Sequence, residues 1–195
     1  MLIINMSSAN TYMGQKGYSI YKNSISVEEQ QFIRETLTVQ PYTPKASVKA
    51  TPFSIYRESQ QKLYVPRHFG ENTFGKANEF KISEGDDINL DFAGDLRDYQ
   101  KNIVNVYKKS TETSGGGLLE IPCGRGKTVI ALNIIAQLKK KTLVIVHKGF
   151  LLNQWIERIE QFLPNARVGK IQGPIVDIEN KDIVIALNSI GADVG

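Results

Sequence analysis

The sequence predicts an α/β chain in two parts, a parallel-sheet lobe preceded by a small α+β module. Three observations predict it. After residue 90, helical stripes alternate with short β-branched runs, the pattern of βαβ units around a parallel sheet. One junction between such a run and a helix is the glycine-rich stretch Pro122-Cys123-Gly124-Arg125-Gly126-Lys127-Thr128. Before residue 90, a capped helix is followed by an aromatic-rich hairpin instead. The expected division is residues 1–90 and residues 91–195, with the polar turn Ser83-Glu84-Gly85-Asp86-Asp87 opening the break.

In the first part, Ser26-Val27-Glu28-Glu29 is a capping box, with Ser26 as N-cap and Glu29 three residues on. It predicts a helix whose apolar side is Val27, Phe32, Ile33 and Leu37, ended by Pro41 and Pro44. The runs 53–57 and 62–65 flank Glu58-Ser59-Gln60-Gln61 and predict a β-hairpin. Aromatic and basic residues interleave here: Tyr56, Arg57, Tyr64, Arg67, His68 and Phe69. They read either as a face that stacks bases and neutralises phosphates or as a small core with a solvated rim. Both readings stay open at this point.

In the second part, 98–109 predicts a helix with Tyr99, Ile103, Val106 and Tyr107 on one face. The loop Ser114-Gly115-Gly116-Gly117 leads to an expected buried strand, 118–121. Helices are expected over 127–139 and 150–162, and strands over 142–146, 168–171 and 183–187.

Composition excludes several classes. The longest apolar runs are strand-length, too short to span a bilayer. The segment Met1 to Ser8 has no basic flank and too short an apolar core for a signal peptide. A single cysteine, Cys123, allows no internal disulfide framework and points to a reducing, intracellular and cytoplasmic setting without membrane association. With two histidines beside it, little remains for a soft-metal site. Residues 1–90 carry 10 basic against 9 acidic side chains, and residues 91–195 carry 14 against 11. That mild excess suits a polyanionic partner without demanding one.

The stretch 122–128 carries the clearest chemistry. A backbone wrapping a triphosphate needs glycines that accept unusual dihedrals and let oxygens approach the N–H groups. The helix that follows adds its free N–H donors and the positive end of its dipole. Pro122, Cys123, Gly124, Arg125 and Gly126 would form the cradle. Lys127 would reach the β- and γ-phosphates, and the Thr128 hydroxyl would ligate Mg²⁺. The strict P-loop pattern asks for glycine five residues before Gly126, where Ile121 stands. The alternative is a tight strand-to-helix turn that happens to contain Lys-Thr. Cys123 reads as a small residue filling the loop rather than as a nucleophile, and Arg125 as pointing to solvent or to a partner lobe.

Three further segments narrow the reading. Leu96-Arg97-Asp98-Tyr99-Gln100 resembles the Q-motif region of superfamily 2 helicases. By that resemblance Gln100 pairs with the adenine edge, with Arg97 nearby; one amide offers both a donor and an acceptor. The run Val144 through Trp155 resembles motif Ia, which holds the nucleic-acid backbone, and implicates Lys148 and Gly149; His147 replaces the usual proline. Trp155 reads as core, at helical spacing with Leu151, Leu152 and Ile159. Asp182 through Ile190 resembles the later strand whose end also touches nucleic acid, implicating Asn188 and Ser189. Together with Ile121-Pro122-Cys123-Gly124-Arg125-Gly126-Lys127-Thr128 and Lys170-Ile171-Gln172-Gly173, these resemble the XPB/UvsW-like group, nearest to the transcript-release helicases of large nucleocytoplasmic DNA viruses. Upstream, Leu37-Thr38-Val39-Gln40-Pro41, Ile55-Tyr56-Arg57-Glu58 and Tyr64 through Gly70 resemble that subgroup's N-terminal module.

The resemblance implies a RecA-like P-loop lobe with a parallel sheet, using ATP and Mg²⁺ on DNA or RNA. Transcript release, transcription termination or DNA repair would be the setting, with the transcription machinery as a partner. A viral protein of this kind would work in the cytoplasm, virion or viral factory, and the nucleus stays open. The family hydrolyses ATP with an Asp-Glu pair further along and with arginines from a second lobe; no Asp-Glu dipeptide occurs in these 195 residues. The expectation is therefore the N-terminal part of an ATP-dependent helicase, inactive alone. A non-catalytic nucleotide- and nucleic-acid-binding module is the competing class, and a P-loop kinase leaves Gln100 and Gln154 unexplained.

Overall fold

The computed structural model describes residues 9–42 and 50–188. The chain forms two compact units, residues 1–84 and 85–195.

The first unit is built on a five-stranded sheet of β1 (Thr11–Gly14), β2 (Gly17–Tyr21), β5 (Arg57–Glu58), β6 (Lys62–Val65) and β7 (Glu79–Phe80), in the order β5-β6-β2-β1-β7. The short strands β3 (Thr38–Val39) and β4 (Phe53–Ser54) pair separately. Helices α1 (Val27–Thr36) and α2 (Arg67–Phe74) complete the unit. Strand alternation sends Tyr18, Ile20, Leu63 and Val65 to a core shared with Ile33, Leu37 and Met13. The capping box of α1 is formed: the Glu29 N–H donates to the Ser26 hydroxyl at 3.1 Å, and the Ser26 N–H to the Glu29 carboxylate at 2.7 Å. The helix ends at Thr36, before Pro41, and Pro44 lies outside the described residues.

Two expectations change here. Val27 sits at the first helical position and is 74% exposed, because the stripe toward the core begins one turn later. The expected hairpin is shorter: Arg57 pairs with Tyr64 and Glu58 with Leu63, while Phe53 and Ser54 pair instead with β3. The hairpin of β1 and β2 is an addition, joined by Gln15 and Lys16, with Gly17 at a positive φ of 96°.

The second unit holds helices α3 (Asp98–Ser114), α4 (Lys127–Leu138) and α5 (Gly149–Phe162), with strands β8 (Thr142–Val146), β9 (Val168–Gln172), β10 (Ile175–Val176) and β11 (Ile183–Leu187). The sheet order is β10-β9-β11-β8. β11 runs parallel to both β8 and β9, and β10 folds back antiparallel on β9. This is the α/β lobe with a parallel sheet that the alternation predicts. Ile183 and Ile185 of β11 are buried against Leu132 of α4 and Leu152 and Ile159 of α5. The incoming segment joins that core through Ile88 and Leu90, held by the Ile88 N–H to the Lys139 carbonyl and the Lys141 N–H to the Asp86 carbonyl.

The expected strand at 118–121 does not form. The segment is irregular, and Leu118 is 94% exposed. A strand exists only with a neighbour to share its ladder, and among the described residues the sheet ends at β8. A cavity of about 380 Å³ lies between Leu119 and β8, lined also by Tyr107, Ile134, Leu143 and Trp155. Among the described residues β8 thereby keeps an open edge and an apolar face, with Leu143 56% and Ile145 65% exposed. On α3 the buried apolar residue is Val104, one turn after the buried Gln100, whereas Val106 faces solvent; two residues along a helix turn the side chain through about 200°.

Candidate nucleotide-binding site

The stretch 122–126 is a surface turn that delivers the chain into α4. Two of its glycines adopt the left-handed region, Gly124 at φ 76° and Gly126 at φ 75°, ψ 39°. Side-chain-bearing residues rarely go there. Around Gly124 an added methyl would meet nothing within 4 Å, so the loop is open on that side. At Gly126 the demand is double, since a methyl there would come within 2.6 Å of the Gln100 amide nitrogen. Gly126 is also the N-cap of α4, and the first bond into the helix is the Ile130 N–H to the Gly126 carbonyl at 3.0 Å. The amides of Lys127, Thr128 and Val129 thus stand ahead of the helical ladder, where an anion is favoured.

Lys127 is exposed and folds back over the loop, donating to the Ile121 carbonyl at 2.8 Å, with the Cys123 Sγ at 4.0 Å. Thr128 is half-buried one residue on, and Pro122, Cys123 and Arg125 are exposed. The fit to a polyphosphate rests on these features: an open glycine turn, helix-start amides and a lysine whose present partner is a neutral carbonyl. Thr128 supplies the hydroxyl oxygen suited to a hard divalent cation.

Gln100 is buried at the start of α3. Its Oε1 accepts from the Arg97 N–H at 2.9 Å, and its Nε2 donates to the Arg125 carbonyl at 3.2 Å. The Tyr99 hydroxyl donates to that same carbonyl at 3.1 Å, and the Arg125 guanidinium lies 5.7 Å from the Tyr99 ring centroid. Two neighbours on α3 therefore pin the loop, and Tyr99 is the one sequence reasoning assigned only to an apolar face. Its position beside Gln100 was the available signal. Arg97 is exposed.

The remaining candidates meet at the carboxyl ends of two adjacent strands. Asn188, just after β11, donates its N–H to the Val146 carbonyl at the end of β8 at 2.7 Å. Lys148 and Gly149 follow β8 as N-cap and first residue of α5, and Asn188, Lys148 and Gly149 are all exposed. Ser189 lies outside the described residues. At the opposite end of this sheet, Asp182 is buried and receives the Arg167 guanidinium at 2.6 and 3.0 Å and the Arg167 N–H at 2.8 Å. The Arg167 hydrogen bonds hold its carboxyl below the usual carboxylate range.

Comparison with known proteins places these residues in context. Residues 93–193 match the family ResIII, described as "Type III restriction enzyme, res subunit". "Putative ATP-dependent RNA helicase L396" of Acanthamoeba polyphaga mimivirus is 32% identical over 191 residues, 94% of this chain and 37% of that protein. "DNA 3'-5' translocase XPB2" of Sulfurisphaera tokodaii is 39% identical over 69 residues, 35% of this chain and 15% of its own length. The Sulfolobus solfataricus SWI2/SNF2 ATPase core solved with dsDNA superimposes with a TM-score of 0.45 at 22% identity, over 54% of this chain and 24% of that one. The chain thus spans little more than a third of the length of the mimivirus relative. Among the described residues, no helix is long and apolar enough to cross a membrane, and no group of three or more His, Cys, Asp or Glu is arranged to hold a metal.

Proposed function

This chain belongs to the ResIII family, and from that premise we propose that it is the N-terminal part of an ATP-dependent superfamily 2 helicase or translocase, with residues 91–195 as its ATP-binding lobe. The carrying observation is the turn at 122–126, with Gly124 and Gly126 left-handed and the amides of Lys127 to Val129 ahead of the ladder. In this reading Lys127 leaves the Ile121 carbonyl for the β- and γ-phosphates, and Thr128 ligates the magnesium ion. When bound, that ion neutralises charge on the phosphates. Gln100 contacts adenine while holding the loop. Its amide oxygen and nitrogen each make one hydrogen bond here and have capacity for a second. Arg97 lies nearby.

Lys148, Gly149, Asn188 and Ser189 would hold the backbone of DNA or RNA at the strand ends, through the start of α5 and neutral hydrogen bonds. The names of the relatives, an RNA helicase and a DNA translocase, support a nucleic-acid track. Transcript release or DNA repair is the setting we favour, with the transcription machinery as a partner. Since no Asp-Glu pair occurs here, the 195 residues alone bind Mg-ATP without measurable turnover.

Calorimetric titration with Mg-ATP tests this. Lys127→Ala should weaken binding about 10- to 100-fold, the worth of one charge-assisted hydrogen bond, at unchanged thermal stability. Equal affinity in the wild-type chain and the variant would remove the phosphate-cradle reading.

A further inference from the structure

The face of the first unit's sheet that points away from its core is neither apolar nor charge-balanced. Tyr12, Tyr21, Tyr64 and Lys62 alternate with the buried residues of their strands. The register lines up Arg57, Tyr64, Ser19, Tyr12 and Glu79 across five strands. Tyr64 and Tyr12 stand two strands apart, about 9–10 Å, with buried Ser19 between them. A depression of about 310 Å³ lies there, rimmed by Lys16 and Lys81.

Every ring on this face has an ammonium beside it. Lys16 Nζ lies 5.0 Å from the Tyr64 centroid, Lys62 Nζ lies 4.6 Å from Tyr21 and 5.0 Å from Tyr12, and Lys81 Nζ lies 4.6 Å from Tyr12. On the core-facing side of the same unit the cations are neutralised by carboxylates, Lys22 and Arg34 by Glu58. On the outer face only Lys81 has one, Glu79 at 2.8 Å; among the described residues Lys16 and Lys62 form no ion pair with a carboxylate. A cation–π contact leaves the positive charge in place and contributes little at an exposed site. The Tyr12 phenol is held below its ordinary range, first by the Ser19 hydroxyl and only secondarily by Lys62 and Lys81.

We propose that this face is a binding platform for a single strand of nucleic acid, with a base stacked at Tyr64 beside the Ser19 depression and phosphates on Lys16, Lys62 and Lys81. Stacking rings interleaved with cations, two of the three without a carboxylate, are the arrangement that an unpaired strand satisfies. A duplex keeps its base faces inside its own stack and would leave the rings unused. An acidic peptide would meet the lysines but gives the rings nothing planar to stack on. Of the sequence-read set Tyr56, Arg57, Tyr64, Arg67, His68 and Phe69, Arg57 and Tyr64 lie in this register, whereas Tyr56 and Phe69 pack against the core and Arg67 pairs with Glu71 at 2.9 Å. The platform is independent of the P-loop reading.

The test uses the full chain and fluorescence anisotropy with a labelled oligo-dT strand. Tyr64→Leu, which keeps apolar bulk on the strand but removes the ring, should weaken binding about 5- to 100-fold, while Tyr64→Phe holds near wild type. The double variant Lys62→Ala/Lys81→Ala should reduce the salt slope by about 1.4, ~0.7 for each phosphate released. Circular dichroism and Mg-ATP affinity should stay unchanged in all of them, which separates this site from the nucleotide site. A strand bearing 5-iododeoxyuridine should photocrosslink to Tyr64 or Tyr12. Unchanged oligo-dT affinity and slope in both variants overturns the proposal. So does duplex binding as tight as single-strand binding, or equal competition by polyglutamate.

Discussion

In residues 9–84, β1 and β2 close on each other across Gln15 and Lys16, and β5 and β6 across a turn at 59–61. In residues 85–188 no parallel strand finds its neighbour that way; β8 reaches β11 only after α5, β9 and β10. The consequence differs at the surface. The first unit turns a polar, aromatic and cationic face outward, whereas the second leaves an apolar edge at β8 beside the cavity near Leu119. Antiparallel pairing completes itself from local sequence, while a parallel sheet depends on strands supplied from far along the chain. A motif can therefore be fully formed, as the glycine turn at 122–126 is, while the segment feeding it forms no strand.

That contrast can be broken or sharpened by substitution. The largest expected effect is at Gly70, where α2 packs so closely on β2 that a methyl would overlap the Tyr18 ring. Gly70→Ala should destabilise the first unit by about 2–3 kcal/mol in urea unfolding, with Mg-ATP affinity of the second unit intact. Loss of both together would show that the two units do not fold separately.

Next in size is Asp182→Asn, which strips charge from a buried carboxylate bonded to the Arg167 side chain and backbone. About 1–3 kcal/mol should be lost from the second unit at neutral pH. The sign follows from the lowered pKa. The stabilisation is present above the ordinary carboxylate value of about 4 and disappears as pH falls through the lower folded-state value. Wild type should therefore lose stability in that acid window, and the variant should show a flatter profile across it.

Smallest is Leu143→Thr on the open face of β8, expected within about 0.5 kcal/mol because more than half of the residue is already in water. Its readout is association, since exposed apolar strand edges promote pairing between copies. Lower light scattering at equal stability would fit an edge that lacks its cover. A loss of several kcal/mol would mean that Leu143 is packed, and the contrast between the units would fail.

Much of this was legible because local rules decide it. Ser26 and Glu29 cap α1 as their spacing requires, and β8 and β11 run where the β-branched residues put them. The left-handed backbone at Gly124 and Gly126 follows from glycine alone being comfortable there. Less legible were features set by partners distant in sequence. The pairing of Phe53 and Ser54 with β3, the exposure of Val106, and the irregular course of 118–121 all depend on what lies opposite. Gln100 shows both sides: its place before the loop was readable, but not that its amide and the Tyr99 hydroxyl converge on the Arg125 carbonyl.

By itself, the sequence determined the alternation of elements in the second unit, the cap of α1, and a turn able to wrap an anion, because each depends on residues within a few positions. Only the tertiary structure decided which rings and ammoniums share the outer sheet face, which strand keeps an open edge, and what Gln100 holds. Those are matters of register and crossover, where one residue's slip reverses the face a side chain presents, and nothing within a short window of sequence fixes them.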